Sequence, residues 1–232
     1  VWSLAWAKNG LFAGVGPEGR VVRIEPSGAT SVYFKSEETH IVSISIDAKG
    51  DVLAGGGGKG LLYRITGPGR ASIVSDFPGA EVKASFAYQN SIFAIVNEYS
   101  EPLDLPKRAP GGGSRPPGPS ATPKQKPGKG RLYRVDDRGR VEKLMHHDEF
   151  HYTSLFVDDR GTPYVGTGAE GRVYSADESH AVSLVADLDE RQVTAIQIKN
   201  GAGYFLTSDT ANFQRIVGHG GADATWTGKV LD

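Results

Sequence analysis

The fold of this chain is decided by the stretch from Ser154 to Tyr174, which reads SLFVDDRGTPYVGTGAEGRVY. It contains three short apolar segments, the second of which is Tyr164-Val165. A turn at Asp159-Arg160-Gly161 separates the first two segments, and a glycine-rich loop separates the second from the third. Short apolar segments joined by glycine-containing turns are typical of antiparallel β-strands.

The same pattern recurs along the chain, with units that begin at Val1, Ile41, Glu81, His151 and Gln192. A fourth apolar segment closes a unit, as at 31–34 and 181–185. Four short strands in a repeat of about 40 residues predict a β-propeller. We therefore predict an all-β fold with five four-stranded blades at 1–40, 41–80, 81–150, 151–191 and 192–217. Because five is a low count for this fold, a larger ring of six to eight blades is also considered.

The third unit is about 30 residues longer than the others, and the excess lies between its second and third strands. Residues 105–130 contain six Lys or Arg, no acid and seven of the 13 prolines. Such a segment buries too little apolar surface to offset its ordering entropy, so we predict a disordered insertion at about 99–129. Subtracting its charge of +6 from the net −1 leaves −7 on the rest of the chain. The basic insertion is therefore suited to contact an acidic partner.

The end of the sequence departs from the repeat. Residues 218–232 are expected to form an exit strand or the start of a following domain. The chain is accordingly expected to be a piece of a longer protein.

The composition excludes several classes of protein. The 232 residues include no Cys, which excludes disulfides and thiolate metal sites. The net charge of −1 argues against a nucleic-acid partner, and no apolar run is long enough to predict a membrane span.

A G-x-G-x-x-G pattern occurs twice, at 14–19 and 166–171. A dinucleotide site requires a helix after these glycines, whereas here a strand is predicted to follow. The pattern is also in phase with the repeat. We interpret it as a tight blade turn, and no cofactor is expected.

A candidate ligand site follows from the topology. In a propeller, the residue before each innermost strand lies at the mouth of the central channel, on the same face as the loop between the second and third strands. Polar residues occupy these positions in successive units, and two more lie at the root of the insertion. The predicted ligand-binding residues are His40, Glu81, Asn97, Glu98, His151 and Arg191.

Three other interpretations of these residues stay open. His40, Glu81 and His151 have side chains able to ligate a metal ion. Imidazoles near neutrality are also suited to acid–base chemistry. Alternatively, the residues only cap strand starts and hydrate the channel. The run from His146 to His151 is interpreted as a solvated loop between blades.

The repeat resembles the β-propeller superfamily in its NHL, WD40-like and two-component-regulator-propeller branches, most closely in the stretch quoted first. No nucleophile elbow, zinc-protease or P-loop motif occurs. We therefore expect a non-enzymatic module that binds a ligand or protein partner within a larger sensor, surface or scaffold protein. The resemblance also permits a metal-dependent lactonase- or lyase-like enzyme, and a purely structural spacer is a third hypothesis. It further implies a bacterial, periplasmic or extracellular setting.

Overall fold

The computed structural model describes residues 1–8, 10–99, 128–199 and 202–208, together with the backbone of 213–217 and 229–230. These residues form strands and turns, with no helix among them. The first sheet contains β1 (Ser3–Ala7), β2 (Gly10–Val15), β3 (Arg20–Ile24) and β4 (Thr30–Lys35). The second contains β5 (His40–Ile46), β6 (Val52–Gly57), β7 (Leu61–Gly67) and β8 (Arg70–Asp76).

The third sheet contains β9 (Glu81–Tyr88), β10 (Ser91–Glu98), β11 (Lys129–Val135) and β12 (Val141–His147). The fourth contains β13 (Tyr152–Val157), β14 (Pro163–Thr167), β15 (Arg172–Ala176) and β16 (Val182–Asp187). The fifth contains β17 (Gln192–Lys199), β18 (Ala202–Ser208), β19 (Phe213–Val217) and β20 (Lys229–Val230).

Within each sheet, strands that are adjacent in sequence pair antiparallel, and a single pair, Gly57 with Glu81, links the second and third sheets. The innermost strands of successive sheets contact one another. This repeated arrangement is a β-propeller, so the predicted all-β fold with four-stranded blades is confirmed. We refer below to the five sheets as blades 1 to 5.

The structure bears on two irregular segments. β10 pairs with β11 through Glu98 and Lys129, so the insertion connects the second and third strands of blade 3. Of the segment at about 99–129 that was predicted to be disordered, residues 100–127 lie outside the described residues, whereas Lys129 begins β11. Lys229–Val230 pairs with β19 as an outer strand of blade 5. The rest of the segment 218–232, predicted to be an exit strand or the start of a following domain, lies outside the described residues. The unit boundaries themselves stay predictions.

The G-x-G-x-x-G segments form turns between β2 and β3 and between β14 and β15. Gly19 and Gly171, at the ends of these turns, have φ angles of 51° and 63°, which favour glycine. A side chain at either position would also collide with a backbone carbonyl, that of Glu38 or Glu190. These turns lead into strands and fit the interpretation as blade turns.

A repeated hydrogen bond joins neighbouring blades. The Ser43 hydroxyl donates to the Val82 carbonyl at 2.7 Å, and the Ser154 hydroxyl donates to the Val193 carbonyl at 2.6 Å. Gly55 pairs with Ser43 in the sheet, and a Cβ on Gly55 would lie 2.5 Å from the Val82 carbonyl oxygen. Glycine on the second strand therefore lets the next blade approach closely.

Apolar side chains fill the space between the sheets. Phe12 and Tyr33 of blade 1 pack with Ile41 and Tyr63 of blade 2 in one buried cluster. Three further clusters lie between blades 2 and 3, 3 and 4, and 4 and 5. The core is thus divided into layers, each shared by two neighbouring blades.

The close approach at Gly55 generates a stability prediction. Gly55→Ala places a methyl group against the Val82 carbonyl and Ser43, so the two blades must separate. We expect the free energy of unfolding, measured by urea denaturation, to fall by about 1–3 kcal/mol. Ser72→Ala on the exposed outer strand β8 is the control and should change it by less than about 0.5 kcal/mol. An equal effect of both substitutions would contradict this account.

Candidate functional site

The polar positions predicted from topology lie along one rim of the propeller. β5 begins at His40, β9 at Glu81 and β17 at Gln192, while His151 directly precedes β13. Because the second strand of each blade runs antiparallel to the first, it ends at this same rim. Asn97 pairs with Glu81 across β10 and β9, which brings the root of the insertion to the start of blade 3.

The Glu81 carboxylate is the centre of a polar cluster. The Tyr99 hydroxyl donates to Glu81 Oε2 at 2.5 Å, and Asn97 Nδ2 lies 3.4 Å from the same oxygen. Lys83 Nζ lies 3.8 Å from Glu81 Oε1. The Glu81 side chain is only 14% exposed, so its charge is stabilised by these neighbours as well as by water. Together with His151, these residues are called the rim cluster: Glu81, Lys83, Asn97, Tyr99 and His151.

Asn97 is the member of the rim cluster that joins it to the backbone of blade 4. It is fully buried, and its Nδ2 donates to the Tyr152 carbonyl at 2.8 Å while its Oδ1 accepts from the Tyr152 amide at 2.9 Å. The same amide nitrogen of Asn97 lies 3.3 Å from the Tyr99 hydroxyl. Asn97 therefore clamps blade 3 to blade 4 and also orients the phenol that binds Glu81.

His151 forms the side of the rim cluster contributed by blade 4. Its ring centroid lies 5.9 Å from that of Tyr99, and its ring lies directly against the backbone of Gly168. Burial lowers the pKa of His151, while Glu81 opposes and Lys83 adds to this effect. The imidazole is therefore neutral at pH 7. Within the described residues, its nitrogens make no hydrogen bond.

Tyr99 remains a hydrogen-bond donor over a wide pH range. Burial raises the pKa of its phenol well above the ordinary value, and the negative charge of Glu81 raises it further. The hydroxyl is consequently protonated around neutral pH. The pair presents a fixed donor–acceptor arrangement rather than a group that exchanges protons near neutrality.

The remaining predicted site residues lie in other contacts. His40 Nδ1 accepts a hydrogen bond from Trp2 Nε1 at 3.2 Å, and the two rings meet edge to face with centroids 5.3 Å apart. Glu98 interacts with Arg131 at 3.2 Å, on the opposite face of β10 from Asn97. Arg191 is exposed, and its carbonyl accepts from the Gly171 amide.

The structure does not gather the three hypothetical metal ligands into one site. Across the residues that the structure describes, no group of three or more His, Asp or Glu side chains is placed to hold a metal ion. His40 contacts Trp2, whereas Glu81 and His151 belong to the rim cluster. The positions are spread around the rim because each begins a different blade.

Sequence reasoning missed two members of the rim cluster. Tyr99 follows Glu98 at the root of the insertion, and Lys83 lies two residues after Glu81 on the same face of β9. Because side chains two residues apart on a strand lie on the same face, Lys83 could have been predicted beside Glu81. The sequence held no comparable signal for Tyr99, which lies beyond the end of β10.

His147 lies in an aromatic layer rather than in a solvated loop. Its ring centroid lies 4.4 Å from that of Phe150 and 4.7 Å from that of Tyr174. His147 Nδ1 is 2.7 Å from the Tyr152 hydroxyl. Burial is the main cause of its lowered pKa, and the neighbouring His146 lowers it further. This layer lies beside Tyr152, the residue that Asn97 clamps.

Two grooves open between the hairpin turns of the opposite rim. They have volumes of about 530 and 550 Å³ and lie on either side of the turn formed by Gln89 and Asn90. Arg134 borders the first groove but is engaged by Glu142 at 2.6 Å. These grooves contain none of the polar residues predicted from topology.

No family model matches the sequence, and no curated protein matches it. Among solved structures, virginiamycin B lyase from Staphylococcus aureus is similar at 11% identity and a TM-score of 0.66, over 98% of this chain and 69% of that one. A gluconolactonase from Xanthomonas campestris is similar at 16% identity and a TM-score of 0.63, over 98% of this chain and 74% of that one.

A third similar structure belongs to a complex of nidogen with laminin. It shares 9% identity with a TM-score of 0.60, over 88% of this chain and 72% of that one. These likenesses confirm the β-propeller fold, which enzymes and a protein-binding assembly share. Within the described residues, no helix has the length and apolarity to cross a membrane.

Asn97 generates a second stability prediction. Asn97→Ala leaves the amide and carbonyl of Tyr152 buried without partners, so we expect the free energy of unfolding to fall by about 2–4 kcal/mol. Asn90→Ala, at an exposed turn on the opposite rim, is the matched control and should have little effect. A small effect of Asn97→Ala in urea denaturation would show that the clamp is dispensable.

His147 generates a prediction about pH. Its folded-state pKa lies below the unfolded value of about 6.5, so the unfolded chain binds more protons as the pH falls below that value. Stability therefore decreases from pH 7 to pH 5. His147→Phe keeps the aromatic packing and should reduce this decrease, measured by urea denaturation at each pH. His146→Phe is the control and should retain most of it; identical curves for the wild type and His147→Phe would contradict the assignment.

Proposed function

We propose that this chain is a non-enzymatic propeller module that binds a ligand or protein partner at the rim cluster, within a larger sensor, surface or scaffold protein. The observation that carries the proposal is the meeting of Glu81, Tyr99 and His151 around the buried amide of Asn97. A polar cluster supported by a fully buried side chain is held in one geometry before any ligand arrives. Such preorganisation reduces the free energy that binding must spend on ordering.

The chemistry of the rim cluster suits a polar ligand. His151 supplies imidazole nitrogens that make no hydrogen bond to the described residues, one a donor and the other an acceptor in the neutral ring. Tyr99 and Glu81 supply a fixed phenol–carboxylate pair, and Lys83 adds a positive charge. The ring of Tyr99 adds an apolar surface beside these groups, and the residue is 46% exposed. Polar groups beside an exposed aromatic ring are typical of small-molecule and peptide sites.

His40, Glu98 and Arg191 form an outer part of the proposed binding face. The Trp2 ring at His40 provides a second exposed aromatic group, and Arg191 provides an exposed charge. The similar structure from the nidogen–laminin complex supports a protein partner as one possible occupant. The predicted bacterial, extracytoplasmic setting belongs to this proposal and rests on the sequence resemblance.

An enzyme is the second candidate. One observation favours it: the His151 imidazole, a group able to transfer protons, lies in one cluster with the Glu81 carboxylate. The similar gluconolactonase and virginiamycin B lyase show that the fold is compatible with catalysis. A metal-free acid–base mechanism would place His151 as the base, since burial lowers its pKa and its ring lies beside Tyr99 in the rim cluster.

A binding experiment tests the leading proposal. The wild type, Glu81→Gln, His151→Asn and the control Asn90→Ala are heated with a panel of neutral sugars, carboxylic acids, amines and short peptides. We expect at least one probe to raise the Tm of the wild type and of Asn90→Ala, and to lose this effect in the two rim variants, because ligand binding to the folded state raises Tm. Loss of the effect in Asn90→Ala alone would instead place binding in the opposite grooves. Equal shifts in all four proteins would contradict a rim site.

An activity measurement separates the second candidate from the first. Gluconolactone and virginiamycin B are incubated with the wild type, and their consumption is followed by chromatography. The binding-module proposal expects no turnover above that of Asn97→Ala, in which the clamp is broken. Turnover that is lost in His151→Asn and Glu81→Gln but unaffected by chelator would establish a metal-free enzyme and overturn the leading proposal.

A further inference from the structure

An apolar strip on the innermost strand of blade 1 faces solvent. Leu4 is 57% exposed and Trp6 is 70% exposed, although both lie on β1, the strand of blade 1 that contacts β5 of blade 2. The alternate residue Ala7 points the other way and is buried. Large apolar side chains on an innermost strand are unusual at a free surface, because their burial is what holds sheets together.

Equivalent positions in other blades are covered. The register places Leu4 opposite Ala13 in blade 1, as Ile44 lies opposite Ala54 in blade 2 and Leu155 opposite Val165 in blade 4. Ile44 packs against the cluster shared with blade 1, and Leu155 packs against the cluster shared with blade 3. In both cases, the preceding blade supplies the cover.

The repeat therefore shows what kind of surface fits the strip. Ile44, Ala54 and Tyr63 of blade 2 are covered by Phe12, Val21 and Tyr33 of blade 1. The covering surface is one face of a four-stranded antiparallel sheet, with buried apolar side chains on at least three of its strands. The face of blade 1 that carries Phe12, Val21 and Tyr33 already packs against blade 2. The strip of Leu4 and Trp6 therefore requires a similar apolar face from another sheet.

The similar structures are longer than this chain, by enough residues to form such a sheet. The chain is matched over 98% of its length by both the lyase and the gluconolactonase, yet it spans only 69% and 74% of their chains. The part of those proteins that this chain does not span amounts to about a quarter to a third, which exceeds one blade out of five.

We propose that the strip formed by Leu4 and Trp6 is the docking surface for a further propeller blade of the same polypeptide. The incoming blade contributes an apolar sheet face like that of Phe12, Val21 and Tyr33, and forms one more inter-blade core. The inference concerns packing of blade 1 and is independent of any ligand at the rim cluster.

Substitution in the full natural polypeptide tests this proposal. Trp6→Lys places a charge in the proposed core, so we expect its Tm to fall by more than about 5 °C, because an unpaired charge is costly to bury. The control is Ile73→Lys on the outer strand β8, where an isoleucine of 57% exposure lies in the open. It should change Tm by less than about 2 °C. Equal, small shifts for both variants would overturn the proposal.

A fluorescence measurement covers the case in which Trp6→Lys fails to fold. Trp2 and Trp226 are replaced by Phe in the full polypeptide, which leaves Trp6 as the only tryptophan among residues 1–232. Any tryptophan elsewhere in the polypeptide is likewise replaced by Phe. We expect acrylamide to quench Trp6 several-fold less than free N-acetyltryptophanamide. Quenching close to that of the free compound would overturn the proposal. So would a dimer in light scattering that Trp6→Lys dissociates, because a second copy would then cover the strip.

Discussion

The close contact between neighbouring blades is the constraint on which the rest of the structure depends. A serine hydroxyl of one blade reaches a carbonyl of the next, and this is possible only because a glycine pairs with that serine. The apolar layers between sheets then bury most of the large side chains. Each sheet alone would have two apolar faces in water, so the blades stabilise one another rather than themselves.

Blades 3 and 4 are joined differently. Blade 3 has Asn97 near the end of its second strand, and its side chain binds the backbone of Tyr152 in blade 4. The amide of Asn97 is buried and paired on both sides, which makes this junction specific in geometry. Because the same amide contacts Tyr99 and Glu81, blade packing and the rim cluster share one side chain. The candidate site is therefore placed by the contact that also holds the fold.

The charges of the rim cluster are balanced locally. Glu81 is paired with Lys83 and accepts hydrogen bonds, while burial keeps His151 neutral. The basic insertion joins this rim at Tyr99, and the rest of the chain carries a charge of −7. A ligand at the rim would thus meet fixed hydrogen-bonding groups rather than a strong field of one sign.

The sequence by itself determined the architecture: the repeated strand lengths, glycine turns and in-phase G-x-G-x-x-G loops predicted the β-propeller. Local patterns suffice for this because a strand has a period of two and a tight turn needs particular residues. They also predicted Glu81, Asn97 and His151 on one rim. Only the tertiary structure decided that Asn97 is a buried clamp, that Tyr99 and Lys83 complete the cluster, and that His40 lies apart with Trp2. These facts depend on which blades meet and how their side chains pack, and residues 55 positions apart in sequence, such as Asn97 and Tyr152, leave no local pattern that records their contact.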